Sequence, residues 1–208
     1  MNAAESLPPA TGGLVIPEGG EHVTIPRVES LDPFLMTVLS STDLWMFLTS
    51  NGGLTAGRVD AGGAIFPYET VDRLYERPGR GGSVTFVRDG AGKIWQPLGP
   101  LGSPSHGRRR LSKSALGDEV LFEEENPSGQ LLYRLRWRPS ERFGWVREVE
   151  LVNLGDAPAR LDVLDGLLDI LPAQVDLSSQ QRASNLVDAY RHSELHPERQ
   201  DLALYGLS

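Results

Sequence analysis

Apolar and basic side chains alternate without a break from Tyr133 to Arg138, with Tyr133, Leu135 and Trp137 on one parity and Arg134, Arg136 and Arg138 on the other. A repeat of two is the period of a pleated strand, so this run dictates a β-strand with one face in a core and one in water. Segments 120–125 and 145–152 flank it, joined through Asn126-Pro127-Ser128-Gly129 and through residues 139–144. Three strands in series with short, breaker-rich connections predict an antiparallel meander. On the third, Trp145, Val149 and Leu151 align, with Arg147 among them. Segment 159–165 places Leu161 and Val163 on one side and Asp162 on the other, and is expected to continue the meander.

The rest of the chain reads the same way. Twenty-three glycines and fifteen prolines in 208 residues are costly inside helices and useful in turns, which favours many short strands. Residues 1–33 carry Pro8-Pro9, Gly12-Gly13, Pro17, Gly19-Gly20 and Pro26, and are expected to form an extended N-terminal arm. Residues 34–208 are expected to form one β-sandwich domain, its C-terminal end incomplete because 201–208 is strand-like and ends without a partner. Segment 34–39 precedes a hairpin whose strands run through Leu48 and from Leu54 toward Val59 around Asn51-Gly52-Gly53. Residues 60–82 read as loop, and 83–88 and 93–97 as a second hairpin around Asp89-Gly90-Ala91-Gly92. Residues 99–110 read as a polar surface loop. Residues 178–194 read as the one helix, with Ser178 or Ser179 as N-cap and Leu186, Val187 and Tyr190 at helical spacing, capping the sandwich.

Composition excludes several functions. A formal net charge of −8 disfavours nucleic acid as a partner. No apolar run approaches the ~20 residues of a membrane helix, so no membrane is expected. The absence of cysteine and of a basic, apolar leader fits a reducing cytoplasm. No nucleophile elbow, phosphate-binding P-loop or dinucleotide fingerprint occurs, and nothing calls for a cofactor.

Three groups could carry chemistry. Glu123 and Glu125 share a strand face about 7 Å apart, within reach of paired carboxylates, although three acids at a strand end also read as a solvated terminus. Arg108-Arg109-Arg110 could hold phosphate or make salt bridges, but consecutive arginines on a loop read as a solvated basic turn. Of the four histidines, His22, His106, His192 and His196, the last two have i, i+4 spacing with Glu194 between them, yet Pro197 follows and no third metal ligand is evident, so no metal site is expected. The four tryptophans, Trp45, Trp95, Trp137 and Trp145, could stack on sugars but read as core.

The words themselves are specific. Ser50-Asn-Gly-Gly-Leu-Thr-Ala-Gly-Arg58, followed by Phe66-Pro-Tyr-Glu-Thr-Val-Asp-Arg-Leu74, resembles the N-terminal β-sandwich of cellobiose phosphorylase-like proteins. Ser140-Glu-Arg-Phe-Gly-Trp-Val-Arg147, Val163-Leu-Asp-Gly-Leu-Leu-Asp-Ile-Leu-Pro172 and Ala183-Ser-Asn-Leu-Val-Asp-Ala-Tyr190 are similar to later segments of that domain. The resemblance implies a mainly β fold, a twisted antiparallel β-supersandwich of galactose mutarotase-like type with one helix near the C-terminus. It implies a carbohydrate ligand, a catalytic (α/α)6 barrel as domain or chain, and a homodimer surface. The barrel's acid motif has no match here, so no catalytic residue is assigned. Arg58, Tyr68, Asp72 and Arg142, polar groups inside the matching words, become candidates for carbohydrate or interdomain contact, against a structural role in pinning loops. A self-sufficient mutarotase-like or hydrolytic enzyme and an independent carbohydrate-binding module are the alternatives.

Overall fold

The alternating run around Tyr133 forms the centre of the molecule. The structure, a computed structural model, describes residues 22–76, 82–100, 107–173 and 175–208. Most of the expected N-terminal arm, the turn cluster at 77–81 and His106 lie outside the described residues. Along the chain run β1 (His22–Pro26), β2 (Leu35–Val38), β3 (Leu44–Thr49), β4 (Leu54–Arg58), β5 (Ala64–Phe66) and α1 (Val71–Glu76). Then follow β6 (Ser83–Asp89), β7 (Ile94–Trp95), β8 (Arg109–Ser114), β9 (Val120–Glu125), β10 (Leu131–Ser140) and β11 (Gly144–Asn153). The chain ends with β12 (Leu161–Leu167), α2 (Leu177–Tyr190), β13 (Arg191–His196) and β14 (Arg199–Leu207).

The fold is mainly β, and its sheets are antiparallel. A five-stranded sheet has the order β1-β8-β9-β10-β11, a four-stranded sheet β2-β3-β4-β5, a three-stranded sheet β12-β6-β7, and β13-β14 is a hairpin. The five-stranded sheet makes one layer and the other two larger sheets face it. Phe66 of β5 meets Trp137 of β10 edge to face at 6.1 Å, and Trp95 of β7 meets Tyr133 of β10 at 6.4 Å. Tyr133, Leu135 and Trp137 are buried as their parity predicts, in a core shared with Met46, Leu48, Val87 and Phe122. Interdigitation of large side chains from both layers supplies the apolar burial that holds the sandwich together.

The signature hairpin shows why its residues are required. Gly52 has φ 91°, which costs glycine nothing, and a Cβ on Gly53 would lie 2.5 Å from the Leu74 carbonyl oxygen. Thr49 Oγ1 donates to Asn51 Oδ1 at 2.5 Å and accepts from the Gly53 amide at 2.7 Å, while Asn51 Nδ2 donates to the Tyr75 carbonyl at 3.0 Å. The turn is therefore buried and docked on the end of α1. In the Phe-Pro-Tyr segment, Phe66 enters the core and the Pro67 carbonyl accepts from Thr55 Oγ1 at 2.8 Å.

Several expectations are corrected. β1 belongs to the five-stranded sheet, pairing with β8 from His22↔Ser114 to Pro26↔Arg110. Residues 60–82 contain β5 and α1 besides loop. β12 does not continue the meander. It crosses to the opposite layer and pairs with β6, Asp165 opposite Thr85. The reason is chemical: the half-exposed Asp165 carboxylate is bound by Thr85 of β6 and by Arg147 of β11. The N-cap of α2 is Asp176, whose carboxylate accepts from the Ser179 amide at 2.6 Å. The helix stops at Tyr190, and Ala183 has non-helical dihedrals. Its Leu186 and Tyr190 are exposed, so it does not cap the core. The terminal segment does find a partner, since β14 pairs with β13.

Truncating Trp137, 2% exposed, to alanine is expected to cost about 3–5 kcal/mol in urea unfolding, whereas Leu164→Ala on the outer face of β12, 68% exposed, changes stability by less than about 0.5 kcal/mol.

Candidate functional site

Of the four candidate residues, Arg58 and Tyr68 flank one surface. β3 and β4 pair with Trp45 opposite Gly57 on the outer side and with Met46 opposite Ala56 in the core. A Cβ on Gly57 would come within 2.5 Å of the Trp45 ring, so only glycine lets the indole lie across β4. The indole N–H donates to the Asp60 carbonyl at 3.0 Å, which fixes the ring. Tyr68, 44% exposed, packs edge to face on it at 5.8 Å, and Phe47 lies 6.1 Å away on the same face. At the end of β4, Arg58 Nε and an Nη donate to the two oxygens of Asp43 at 3.1 and 3.0 Å, an exposed two-point pair. Trp45 thus departs from the core reading, which Trp95, Trp137 and Trp145 follow.

Asp72 and Arg142 have local roles. Asp72 sits in the first turn of α1, and bonds from Thr70 and from its own amide hold its carboxyl below the usual range. Arg142 lies in the β10–β11 turn, its guanidinium 5.1 Å from the Phe143 ring centroid and its amide donating to Ser140 Oγ at 3.3 Å.

The acidic and basic triplets are where the structure departs most from the sequence reading. The acids are not solvated, Glu123, Glu124 and Glu125 being 2%, 0% and 3% exposed, and of the arginines Arg109 is buried while Arg110 and Arg108 keep partial solvent contact. β8 and β9 pair antiparallel with Arg109 opposite Glu124 and Arg110 opposite Glu123, and Arg108 reaches Glu125, so the two triplets form three consecutive ion pairs. The middle rung points into the core. Glu124 accepts Arg109 Nε at 2.6 Å, Trp95 Nε1 at 3.1 Å, the Leu98 amide at 2.8 Å and the Gly107 amide at 3.1 Å. Arg109 also donates to the Gly99 carbonyl at 2.6 Å, and its amide to Glu29 Oε2 at 3.1 Å. A buried ion pair persists only when its remaining hydrogen-bonding capacity is filled in this way.

The outer rungs extend into a lattice. Glu123 also accepts from Arg134 at 2.9 Å, which in turn reaches Glu150 at 2.9 Å, while Glu148 binds Arg138 at 2.5 Å and Arg136 at 3.3 Å. Burial pushes the Glu123 carboxyl up, but Arg110 and Arg134 outweigh it and hold it below the usual range.

A second polar network joins the layers. Thr85 Oγ1 lies 2.9 Å from the Tyr133 hydroxyl and donates to Asp165 Oδ1 at 2.6 Å. Arg147 donates to both oxygens of Asp165 at 2.7 Å and to Ser83 Oγ at 2.8 Å. Burial raises the Tyr133 phenol, so it stays neutral. Burial also opposes ionisation of Asp165, and the bonds from Arg147 and Thr85 overcome it. This arrangement is a clasp: the space beside it, lined by Ser83, Thr85, Tyr133 and apolar side chains, has room for about one water.

The described histidines scatter. His22 Nε2 lies 3.0 Å from Glu119 Oε1 on the sheet's outer side. His192 and His196 fall on β13, where four residues span ~13 Å, so the helical metal-pair spacing does not arise. Among the described residues no cluster of three or more His, Asp or Glu side chains is placed to hold a metal ion. A groove of about 390 Å³ at one end of the sandwich is lined by Asp89, Gln130, Asn153, Asp156 and Arg160 together with Leu131, Pro158 and Leu161, and so mixes polar and apolar walls. Its Asp89 and Asn153 side chains already bind turn amides.

Sequence reasoning overlooked Asp43, Glu29, the Tyr133–Thr85–Asp165 network and the whole of β8. One signal was available: 108 and 125, 109 and 124, and 110 and 123 share one sum, as residues paired across an antiparallel turn must.

Glu124→Gln is expected to destabilise the fold by about 3–5 kcal/mol in chemical denaturation, because Arg109 is left charged and buried. Replacing both partners by apolar residues does not restore stability, since Trp95, Leu98 and Gly107 still lose their acceptor. Glu123 and Asp165 are depressed in the folded state, so their stabilisation is complete above the ordinary carboxylate range and is lost as pH falls from that range through their lowered values. Thermal melts from neutral to acid pH should show this loss, and Asp165→Asn should flatten it. Among the described residues no helix is long and apolar enough to cross a membrane. Compared with known proteins, the chain matches no family model and no curated protein.

Proposed function

We propose that this chain is a noncatalytic β-sandwich of a carbohydrate-active, phosphorylase-like enzyme of the cytoplasm. It serves as scaffold, as dimer surface and as a wall beside the carbohydrate site of a catalytic (α/α)6 barrel carried by another domain or chain. The observation that carries this reading is the fate of the charged triplets. Glu123–Glu125 and Arg108–Arg110, the groups best suited to protonate a glycosidic oxygen and hold phosphate, are spent on one another. The signature residues support it too, since Thr49, Asn51, Gly53 and Thr55 are all engaged in building a rigid hairpin. In this reading the two layers are the first part of a twisted supersandwich.

A second reading, a carbohydrate-binding module, is favoured by one feature, the fixed Trp45 with Tyr68 and Phe47 on the outer face. Aromatic faces are suited to the apolar side of a pyranose ring.

Incubated with cellobiose and inorganic phosphate, the purified chain is expected to release neither sugar phosphate nor glucose; sustained turnover would overturn the scaffold reading. Titration with glucose and cellobiose, followed by tryptophan fluorescence, separates the two readings. A saturable change lost in Trp45→Ala supports the binding module, and no change supports the scaffold.

A further inference from the structure

The charge lattice on the outer face of the five-stranded sheet is closed on one side and open on the other. Glu123 lies between Arg110 of β8 and Arg134 of β10, and Glu119 lies between His22 and Arg136. On β11, among the described residues, Glu148 and Glu150 meet arginines from β10 alone: Arg136 and Arg138 for the first, Arg134 for the second. Their side chains are 41% and 59% exposed, against 2% for Glu123. Strand by strand the outward charges run basic on β8, acidic on β9, basic on β10 and acidic on β11.

β11 also ends the sheet. Among the described residues no strand pairs with its outer edge, and its register with β10 runs unbroken from Gly144 to Asn153. A ten-residue edge without proline, bulge or lysine presents unpaired backbone groups to an added strand, and its one inward-pointing charge, Arg147, is held by Asp165. On its inner face Trp145, Val149 and Leu151 are only partly buried, and Trp145 Nε1 is a buried donor without an acceptor among the described residues.

We propose that the edge of β11 is a docking site for an extended segment of a partner protein in which basic and apolar residues alternate. The segment adds a sixth strand. Its basic side chains lie over Glu148 and Glu150 and complete their flanking, and its apolar side chains cover Trp145, Val149 and Leu151. A second copy of β11 is disfavoured in the registers of greatest overlap. Face-matched antiparallel registers centred on Glu148, Val149 or Glu150 each set a glutamate against a glutamate, which is destabilising. This inference does not depend on the carbohydrate reading.

The test uses a short synthetic peptide alternating arginine and valine, added to the isotopically labelled chain. The expected result is slowed amide exchange at alternate residues of β11, a change in tryptophan emission, and weaker binding as salt is raised. The double variant Glu148→Gln, Glu150→Gln, with circular dichroism confirming its fold, should bind about fivefold more weakly. No protection in β11, equal binding of the peptide with glutamate in place of arginine, or a dimer joined through β11 in sedimentation and exchange would each overturn the proposal.

Discussion

The buried pair of Arg109 and Glu124 is the constraint around which the sandwich is arranged. A carboxylate with no solvent contact must have its lone pairs filled, and here the donors come from β7, from the loop after it, from the approach to β8 and from β8 itself. The two layers are thereby joined by a polar bond network inside an apolar core. Strand order follows from it, because β8 can reach Glu124 only beside β9, and β7 only from across the core. The flanking rungs, Arg108 with Glu125 and Arg110 with Glu123, fix the register, since a slip by one residue would turn Glu124 outward and strand Arg109.

The second clasp works on the same principle at the opposite flank. Asp165 on β12 is held by Arg147 on β11 and Thr85 on β6, with Tyr133 closing the network from β10. Apolar burial gives the sandwich its cohesion, while these directional contacts decide which strand lies over which. The same use of polar groups governs the signature hairpin, where threonine and asparagine side chains replace water for a turn that would otherwise bury bare backbone groups.

Much of this was legible in the sequence, wherever one face of a strand meets core and the other meets water. The parity of Tyr133, Leu135 and Trp137 identified the core face of β10, and Asn51-Gly52-Gly53 marked the first turn. The failures share a cause. Arg108–Arg110 and Glu123–Glu125 look hydrophilic one at a time, and only their pairing across a turn makes burial affordable. Asp165 shares its side of the strand with Leu161 and Val163, and what draws β12 to β6 is the binding of its carboxylate by Arg147 and Thr85, which hydrophobicity does not register. For Arg58, Tyr68, Asp72 and Arg142 the sequence offered only membership in the matching words, and partners such as Asp43 and Phe143 come from local geometry.

The crossing between β11 and β12 has a mechanical meaning. Residues 154–160 carry the chain from one layer to the other, while β12 is already held on both sides, by its ladder with β6 and by the Arg147 guanidinium. Scission there would leave two pieces whose recognition surfaces are intact. The contacts that place the carboxy-terminal part on the rest are thus not made by the connecting segment, and the arginine that orders the intact chain does this work from β11.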